Sequence, residues 1–538
     1  MHTARWLGAA AIAALSVSQV QAASRQAAGP IVQTAYGAVQ GATVNGINDF
    51  LGIPYAAPPV GNLRWAAPTP PAPWTVTRQA TSYSAYCPQG FSEIGAGGGA
   101  EDCLYLNVQV PANATASSNL PVMVWIHGGG LSTGSGQEYD GTGLINSGNV
   151  VFVSFNYRLG LLGFLALPAL AAADPHGSSG NYGLLDQQAA IAWVRQNIAA
   201  FGGNPNKITI FGESAGGQST IDQLVSPLLG KVSGAIIESG AYSRALPTQA
   251  SGQTAGMSVA TSLKCASDDL ACLRAVPAAS LVALAGSSST INIAPNVDGY
   301  VLPMQPFQAY AAGLFPKVPI IDGTNHDEYR LFVSEDEILA GQPWSVAEYD
   351  STIAGAAGSY AAQVETEYPL GAYINPGFAT AAVATDYAFS CGAVLLDALI
   401  SRHTTLYTYE LTDPNVPNVF LPYDPNMPSL GDSHAAELPY LFPAFRNAFL
   451  NLGPAQFSPG QLNLAAGMRS SWTSLARYGR PLNPRGGTWL PYSVASHNFL
   501  SLAAPSPTTE YGFYNFHNCG FWGPYLLTEA GLPPNTTY

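Results

Sequence analysis

Short, unbroken apolar runs punctuate the middle of the chain. Val122–Ile126, Val150–Phe155 and Ile208–Phe211 are rich in β-branched and aromatic residues, and each ends at glycine or at a polar group of residues. Ala235–Ile237 and Val318–Ile321 repeat the pattern. Runs of this length without polar alternation predict the strands of a parallel sheet covered on both faces. Between them the period changes. Asp186–Ala200 sets Ile191, Val194 and Ile198 three and four residues apart, with Phe201 next in the series, and Gly202-Gly203 follows. That spacing predicts a helix with an apolar stripe, stopped by glycine. Strand and helix alternating from Val122 to Ile321 predict an α/β fold with right-handed crossovers. Pro and Gly are abundant but scattered, so long loops are expected at the rim of any site. Neither a low-complexity linker nor an internal repeat divides the chain, which predicts one domain over residues 23–538.

The N-terminus reads differently. Arg5 precedes an Ala-rich apolar run, Leu7–Val20, which is too short to span a bilayer and is followed by Val20-Gln21-Ala22. This is the pattern of a signal peptide, residues 1–22, cleaved after Ala22 and implying a secreted or periplasmic protein. The polar tail Gly531–Tyr538 does not suit a lipid-anchor signal, so no stable membrane anchor is expected. Asn113-Ala-Thr115 and Asn535-Thr-Thr537 are glycosylation sequons that matter only in a eukaryotic host.

Composition narrows the function. Of 538 residues, 47% are apolar and only 10% charged, enough apolar material for a large core. Formal net charge is −14 with 19 Lys and Arg, which argues against nucleic acid as a partner because phosphate binding needs a basic face. Six cysteines in an exported chain predict three disulfides. Cys87–Cys103 and Cys265–Cys272 close small loops at the lowest entropic cost, leaving Cys391–Cys519 as a long-range staple. Neither CxxC nor a Cys/His ligand spacing is present, so no metal and no cofactor is expected.

The strongest chemical signal is Gly212-Glu213-Ser214-Ala215-Gly216, a G-x-S-x-G turn between the strand Lys207–Phe211 and a predicted helix over Gly217–Val225. In that context glycines let strand and helix meet tightly, and the serine stands out at the C-terminal edge of the sheet. A serine hydroxyl needs a base, an acid to orient that base, and donors for the oxyanion. His127-Gly128-Gly129-Gly130 follows another strand end, and the amides of Gly129, Gly130 and Ala215 are the expected donors. Of eight histidines, His434 lies on a loop after the nucleophile, in the Ser–acid–His order of this architecture. His326 precedes the only attractive acid cluster, Gly323–Glu328, and is out of order. Within that cluster spacing alone leaves Asp327 and Glu328 open.

Together these residues resemble the type-B carboxylesterase/lipase family of the α/β-hydrolase superfamily, which includes cholinesterases and many microbial esterases. The likeness covers essentially the whole mature chain. It runs from Phe50–Trp65 through Glu101–Asn107, Asn156-Tyr-Arg158, Gly180–Gln188 and the Gly-Glu-Ser-Ala-Gly turn to Trp472 and Trp489–Tyr492. The resemblance implies the α/β-hydrolase fold, a large mostly parallel sheet with helices on both faces and insertions over the site. It implies Glu328 as the acid, supports His434 and the three cysteine pairs, and gives Glu213 and Ser239 supporting roles around the triad. A carboxylic-ester hydrolase with a small-molecule ester substrate follows, the alternatives being a lipase or sterol esterase and a non-catalytic binding module. The Cys87–Cys103 loop is short, glycine-rich and without tryptophan. Cholinesterases carry a cation-binding tryptophan there and fungal lipases a long lid, so neither choline recognition nor lid-driven interfacial activation is expected. Oligomeric state is not legible.

Overall fold

Every apolar run becomes a strand. The computed structural model describes residues 27–91, 96–287, 294–445, 452–483 and 488–538. The expected signal peptide lies outside these residues. The first nine strands are β1 (Ala27–Gln33), β2 (Ala38–Val44), β3 (Ile47–Pro54), β4 (Arg78–Gln79), β5 (Gln89–Phe91), β6 (Ala96–Gly98), β7 (Tyr105–Pro111), β8 (Leu120–Ile126) and β9 (Val151–Phe155). The remainder are β10 (Gly203–Glu213), β11 (Gly234–Glu238), β12 (Ile320–Asn325), β13 (Leu406–Leu411), β14 (Phe499–Leu502) and β15 (Thr508–Glu510). One large sheet runs in the order β1-β2-β3-β7-β9-β8-β10-β11-β12-β13-β14-β15, with β4 beside β2. Its centre, β9 through β14, is parallel, and both flanks are antiparallel apart from the short parallel β2–β4 pair. This is the α/β-hydrolase arrangement.

Burial explains the unbroken runs. On β8, Val122, Val124 and Ile126 join one core cluster, while Met123 and Trp125 join another. Ile208 and Ile210 of β10 face the first cluster and Phe211 the second. A strand with a core on either side has no face left for polar residues. The antiparallel edge strands β1–β3, by contrast, mix Gly, Thr, Asn and Gln into their sequence, and this region lacks the signal that marks the central strands.

Helix boundaries differ from the sequence reading. The helix expected over Asp186–Ala200 spans Tyr182–Asn197 and passes into a 3-10 turn, Ile198–Phe201, before Gly202 takes a left-handed φ of 90°. It is buried nearly all round, so its stripe understated its packing: Asp186, Gln187 and Gln188 are buried with the apolar side. Asp186 is held by Arg158 in a two-pronged ion pair at 2.7 Å from both Nε and Nη2, plus the Arg158 amide at 3.0 Å. Two of the sequence motifs, Asn156–Arg158 and Gly180–Gln188, are therefore one structural joint. The helix after Ser214 begins at Ala215, two residues earlier than expected. Helical structure from Pro376 to Ser401 is long and apolar enough to cross a membrane by composition, but 83% of its most apolar window is buried inside the fold, as in a core helix. The cysteines form Cys87–Cys103, Cys265–Cys272 and Cys391–Cys519.

Candidate active site

The C-terminal ends of four neighbouring parallel strands deliver the candidate groups. β8 leads into His127–Gly130, β10 into Ser214, β11 into Ser239, and β12 into Glu328. Ser214 takes φ 55°, ψ −122°, a conformation L-residues rarely adopt. Backbone holds it there: the Ser214 amide donates to Glu238 O at 2.9 Å, and the Ser214 carbonyl accepts from the Gln218 amide at 2.8 Å. The turn closes against β8. A Cβ on Gly216 would sit 1.9 Å from Ile126 O, and one on Gly212 would sit 2.4 Å from the same atom. Only glycine fits at either flank.

Glu328 and His434 meet. Nδ1 of His434 is 2.6 Å from Glu328 Oε2, and Glu328 Oε1 accepts from Ser239 Oγ at 2.6 Å and from the Asn325 amide at 2.8 Å. Glu328 is wholly buried. Asp327, its competitor, turns away to an ion pair with Arg330 at 2.8 Å. Ser214 and His434 line one cavity of about 500 Å³ together with Gly129, Gly130 and Glu213. No hydrogen bond joins Ser214 to His434. Nε2 of His434 instead lies 3.2 Å from Glu213 Oε1. Such contacts are often loose in the unliganded state and tighten around substrate.

Gly129 and Gly130 have φ of 100° and 59°, so the loop turns through backbone space that suits glycine. Among the described residues neither amide donates to a backbone carbonyl outside a regular element, and Ala215 is the first residue of its helix, where amides have no partner inside the helix. His127 is fully buried beneath this loop, stacked on Tyr157 at 4.4 Å, with burial holding its ring down to a pKa of about 4. It is a neutral packing group. Gln89, inside the Cys87–Cys103 loop, braces the same turn through Gly134, accepting from its amide at 2.8 Å and donating to its carbonyl at 3.0 Å.

Two further carboxyls belong here, and the sequence reading passed over them. Glu437 Oε2 accepts from Asn325 Nδ2 at 2.6 Å, and Glu238 Oε1 accepts from Trp472 Nε1 at 3.0 Å. Both sat inside motifs already in view, Glu437 three residues after His434 and Glu238 just before Ser239. Burial raises Glu213 and Glu238 well above the usual carboxylate range, and raises Glu437 to about 7. Burial also opposes a charge on His434, yet the carboxylates of Glu213, Glu328 and Glu437 outweigh it and push the imidazole up to about 9. Most of the remaining wall is apolar or aromatic, with Leu331, Phe332, Phe389, Phe420 and Phe445, while Thr133 and Tyr242 add hydroxyls; among the described residues no Lys or Arg lines it.

A sequence profile of the carboxylesterase family matches residues 28–522. The chain is 37% identical over 474 residues to a fumonisin B1 esterase of Sphingopyxis macrogoltabida, covering 83% of this chain and 82% of that protein. It is 36% identical over 493 residues to the para-nitrobenzyl esterase of Bacillus subtilis, covering 88% and 94% of the two chains. The solved structure of a Geobacillus stearothermophilus carboxylesterase superposes with a TM-score of 0.78 at 31% identity, over 91% of this chain and 99% of that one.

The close approach of Gly216 to Ile126 sets a test of the turn. Gly216→Ala is expected to lower stability by about 1–3 kcal/mol or more through overpacking, read from chemical denaturation. A variant as stable as the parent would show that the turn has slack.

Proposed function

The chain belongs to the carboxylesterase family and is a carboxylic-ester hydrolase; we propose that it works through Ser214, His434 and Glu328 by way of an acyl-serine intermediate. The observation that carries this reading is His434, paired with buried Glu328, sharing one cavity with a serine in a strained turn. In this mechanism neutral His434 turns from Glu213 to Ser214 and takes the hydroxyl proton as Oγ attacks the ester carbon. The carbonyl oxygen becomes an oxyanion held by the amides of Gly129, Gly130 and Ala215, each such donor contributing about 2.7–4 kcal/mol. His434 then gives its proton to the leaving alcohol, and water releases the acid by the same steps in reverse. Glu328 fixes the tautomer and stabilises the imidazolium. Ser239 and the Asn325 amide hold Glu328 in place. We further propose that the mature chain is residues 23–538, exported after cleavage at Ala22, as one catalytic domain. The three disulfides support an oxidising compartment.

A largely apolar cavity with no Lys or Arg among its described lining residues favours uncharged esters of modest size. With a series of p-nitrophenyl esters, activity is expected to peak at short to medium acyl chains with no jump at the micellar threshold. Preference for long chains only above that threshold would favour the lipase or sterol-esterase reading instead.

Ser214→Ala is expected to cut kcat on p-nitrophenyl acetate by on the order of 10⁶ and to abolish labelling by a fluorophosphonate probe. Retained turnover in that variant would sink the assignment of the nucleophile.

The pH dependence tests the carboxyl cluster. Only neutral His434 can accept the serine proton, so kcat/KM rises as pH rises through the histidine's pKa. Glu213→Gln removes a carboxyl whose ionised form raises this pKa, so the acidic limb of the profile moves to lower pH. A limb that stays put or moves up contradicts the role given to Glu213.

A further inference from the structure

A second polar centre lies away from the ester site. His326 Nδ1 is 2.6 Å from Glu410 Oε1, and His517 Nε2 is 2.8 Å from the same oxygen. These three donor atoms lie within 4.8 Å of one another. They come from three separately anchored places: His326 follows the end of β12, Glu410 sits on β13, and His517 precedes Cys519 of the Cys391–Cys519 disulfide, with its carbonyl oxygen packed 3.1 Å from Cys391 Sγ. Sequence separations of 84 and 107 residues between Glu410 and its partners hid the group from any local motif search.

We propose that His326, Glu410 and His517 form a binding site for a divalent cation of the zinc class. Two imidazoles and one carboxylate are a donor set suited to zinc that leaves a fourth position for water. Zinc needs its donors about 2.0–2.2 Å away, and the atoms that would supply them already lie within 4.8 Å of one another, with both ring nitrogens on one oxygen. An outer layer is built as well. His517 Nδ1 is 2.6 Å from Asp386 Oδ1, which fixes the ring with Nε2 toward Glu410. Asp386 Oδ2 in turn accepts from Tyr368 at 2.7 Å, and Tyr368 accepts from Trp522 Nε1 at 2.8 Å. A carboxylate on the far nitrogen of a ligating histidine is the usual orienting arrangement for such metals.

An opening to solvent accompanies the ligand set. A cavity of about 410 Å³ is lined by His326, Asp386 and His517 and shares no lining residue with the ester cavity. The His326 side chain is 29% exposed, which gives an ion a way in. On binding, the cation takes the places of the protons through which both rings now contact Glu410; the rings stay and the protons leave to solvent. The ion would be a structural clamp of β12, β13 and the C-terminal segment, and no step of ester hydrolysis passes through it.

The test is zinc titration by calorimetry on chelator-treated full-length protein, with His326→Gln and Asp386→Asn alongside. One equivalent is expected to bind the parent with a micromolar or tighter dissociation constant and to raise its melting temperature. Asp386→Asn is expected to weaken binding about 10–100-fold, and His326→Gln to remove both the saturable phase and the thermal shift. Circular dichroism checks that each variant is folded. Because His326 is partly exposed, Gln is expected to be accommodated there; should that variant unfold, Co²⁺ added to the parent reads the site by the visible absorption of a nitrogen- and oxygen-ligated ion. Binding no stronger in the parent than in folded His326→Gln, or Co²⁺ left with its aqueous spectrum, would mean the three residues are an ion-pair network only.

Discussion

The approach of one backbone to another at the serine turn governs this structure. Ile126 O lies where a Cβ on Gly216 or Gly212 would have to go. That approach joins β8 to β10 at the point where both leave the sheet, so the two glycine loops open onto the same space. Gly128 repeats the constraint from the other side: a Cβ there would meet Glu213 O at 2.8 Å and the Ser214 Cβ at 3.1 Å. Side-chain-free backbone on both partners puts two candidate donors and the hydroxyl within one molecule's reach. The unusual φ of Ser214 is the local cost, about 1–3 kcal/mol, offset by the hydrogen bonds at its amide and carbonyl.

Around that turn the electrostatics are one-sided. Three buried carboxyls, Glu213, Glu328 and Glu437, act on His434, and a fourth, Glu238, lies close to Glu213 and Glu437. They cannot all ionise in an apolar setting, because each raises the cost of charging the next. Their partners sort them. Glu328 accepts from a hydroxyl and an amide and contacts His434 directly, so it is the one best equipped to stay charged. Among the described residues Glu213 meets the far side of the imidazole, and Glu238 accepts from the Trp472 indole. The imidazole therefore stands between two carboxyls, Glu328 at Nδ1 and Glu213 at Nε2, and the proposed serine chemistry needs Nε2 turned away from the second.

Central strands and the serine turn were legible in the sequence because burial on both faces and steric exclusion leave strong local marks. Val122–Ile126 could be read as a strand before its partners were known, and Gly212 and Gly216 announced their turn. The edge strands β1–β3 left no such mark, since their partly polar composition also suits loops. Asp327 and Glu328 could not be separated by spacing because the choice depends on reach: adjacent on one loop, one carboxylate turns to Arg330 and the other to His434, 106 residues away. Glu437 and Glu238 were visible but unremarked, because a buried acid looks like a surface acid until its surroundings are known. The His326–Glu410–His517 group was beyond sequence reasoning for the same reason in stronger form. None of its members shares a motif with another.

That group also bears on the ester site through the backbone they share. His326 and Glu328 stand two residues apart at the end of β12, one aimed at Glu410 and the other at His434. A π-helical turn, Thr385–Ser390, interrupts the buried helix and does the same on the opposite wall, sending Asp386 to His517 and Phe389 to within 5.0 Å of the His434 ring. Such turns widen a helix by one residue and can direct neighbouring side chains to different places. The Tyr329 amide donates to Thr385 Oγ1 at 3.0 Å, tying the two segments together. The acid of the candidate triad and an aromatic wall of the substrate cavity are thus both braced from behind by one polar cluster. Two strand ends, a disulfide and a π turn converge on that cluster, so the segments that carry Glu328 and Phe389 are tied to each other on the side away from the ester cavity.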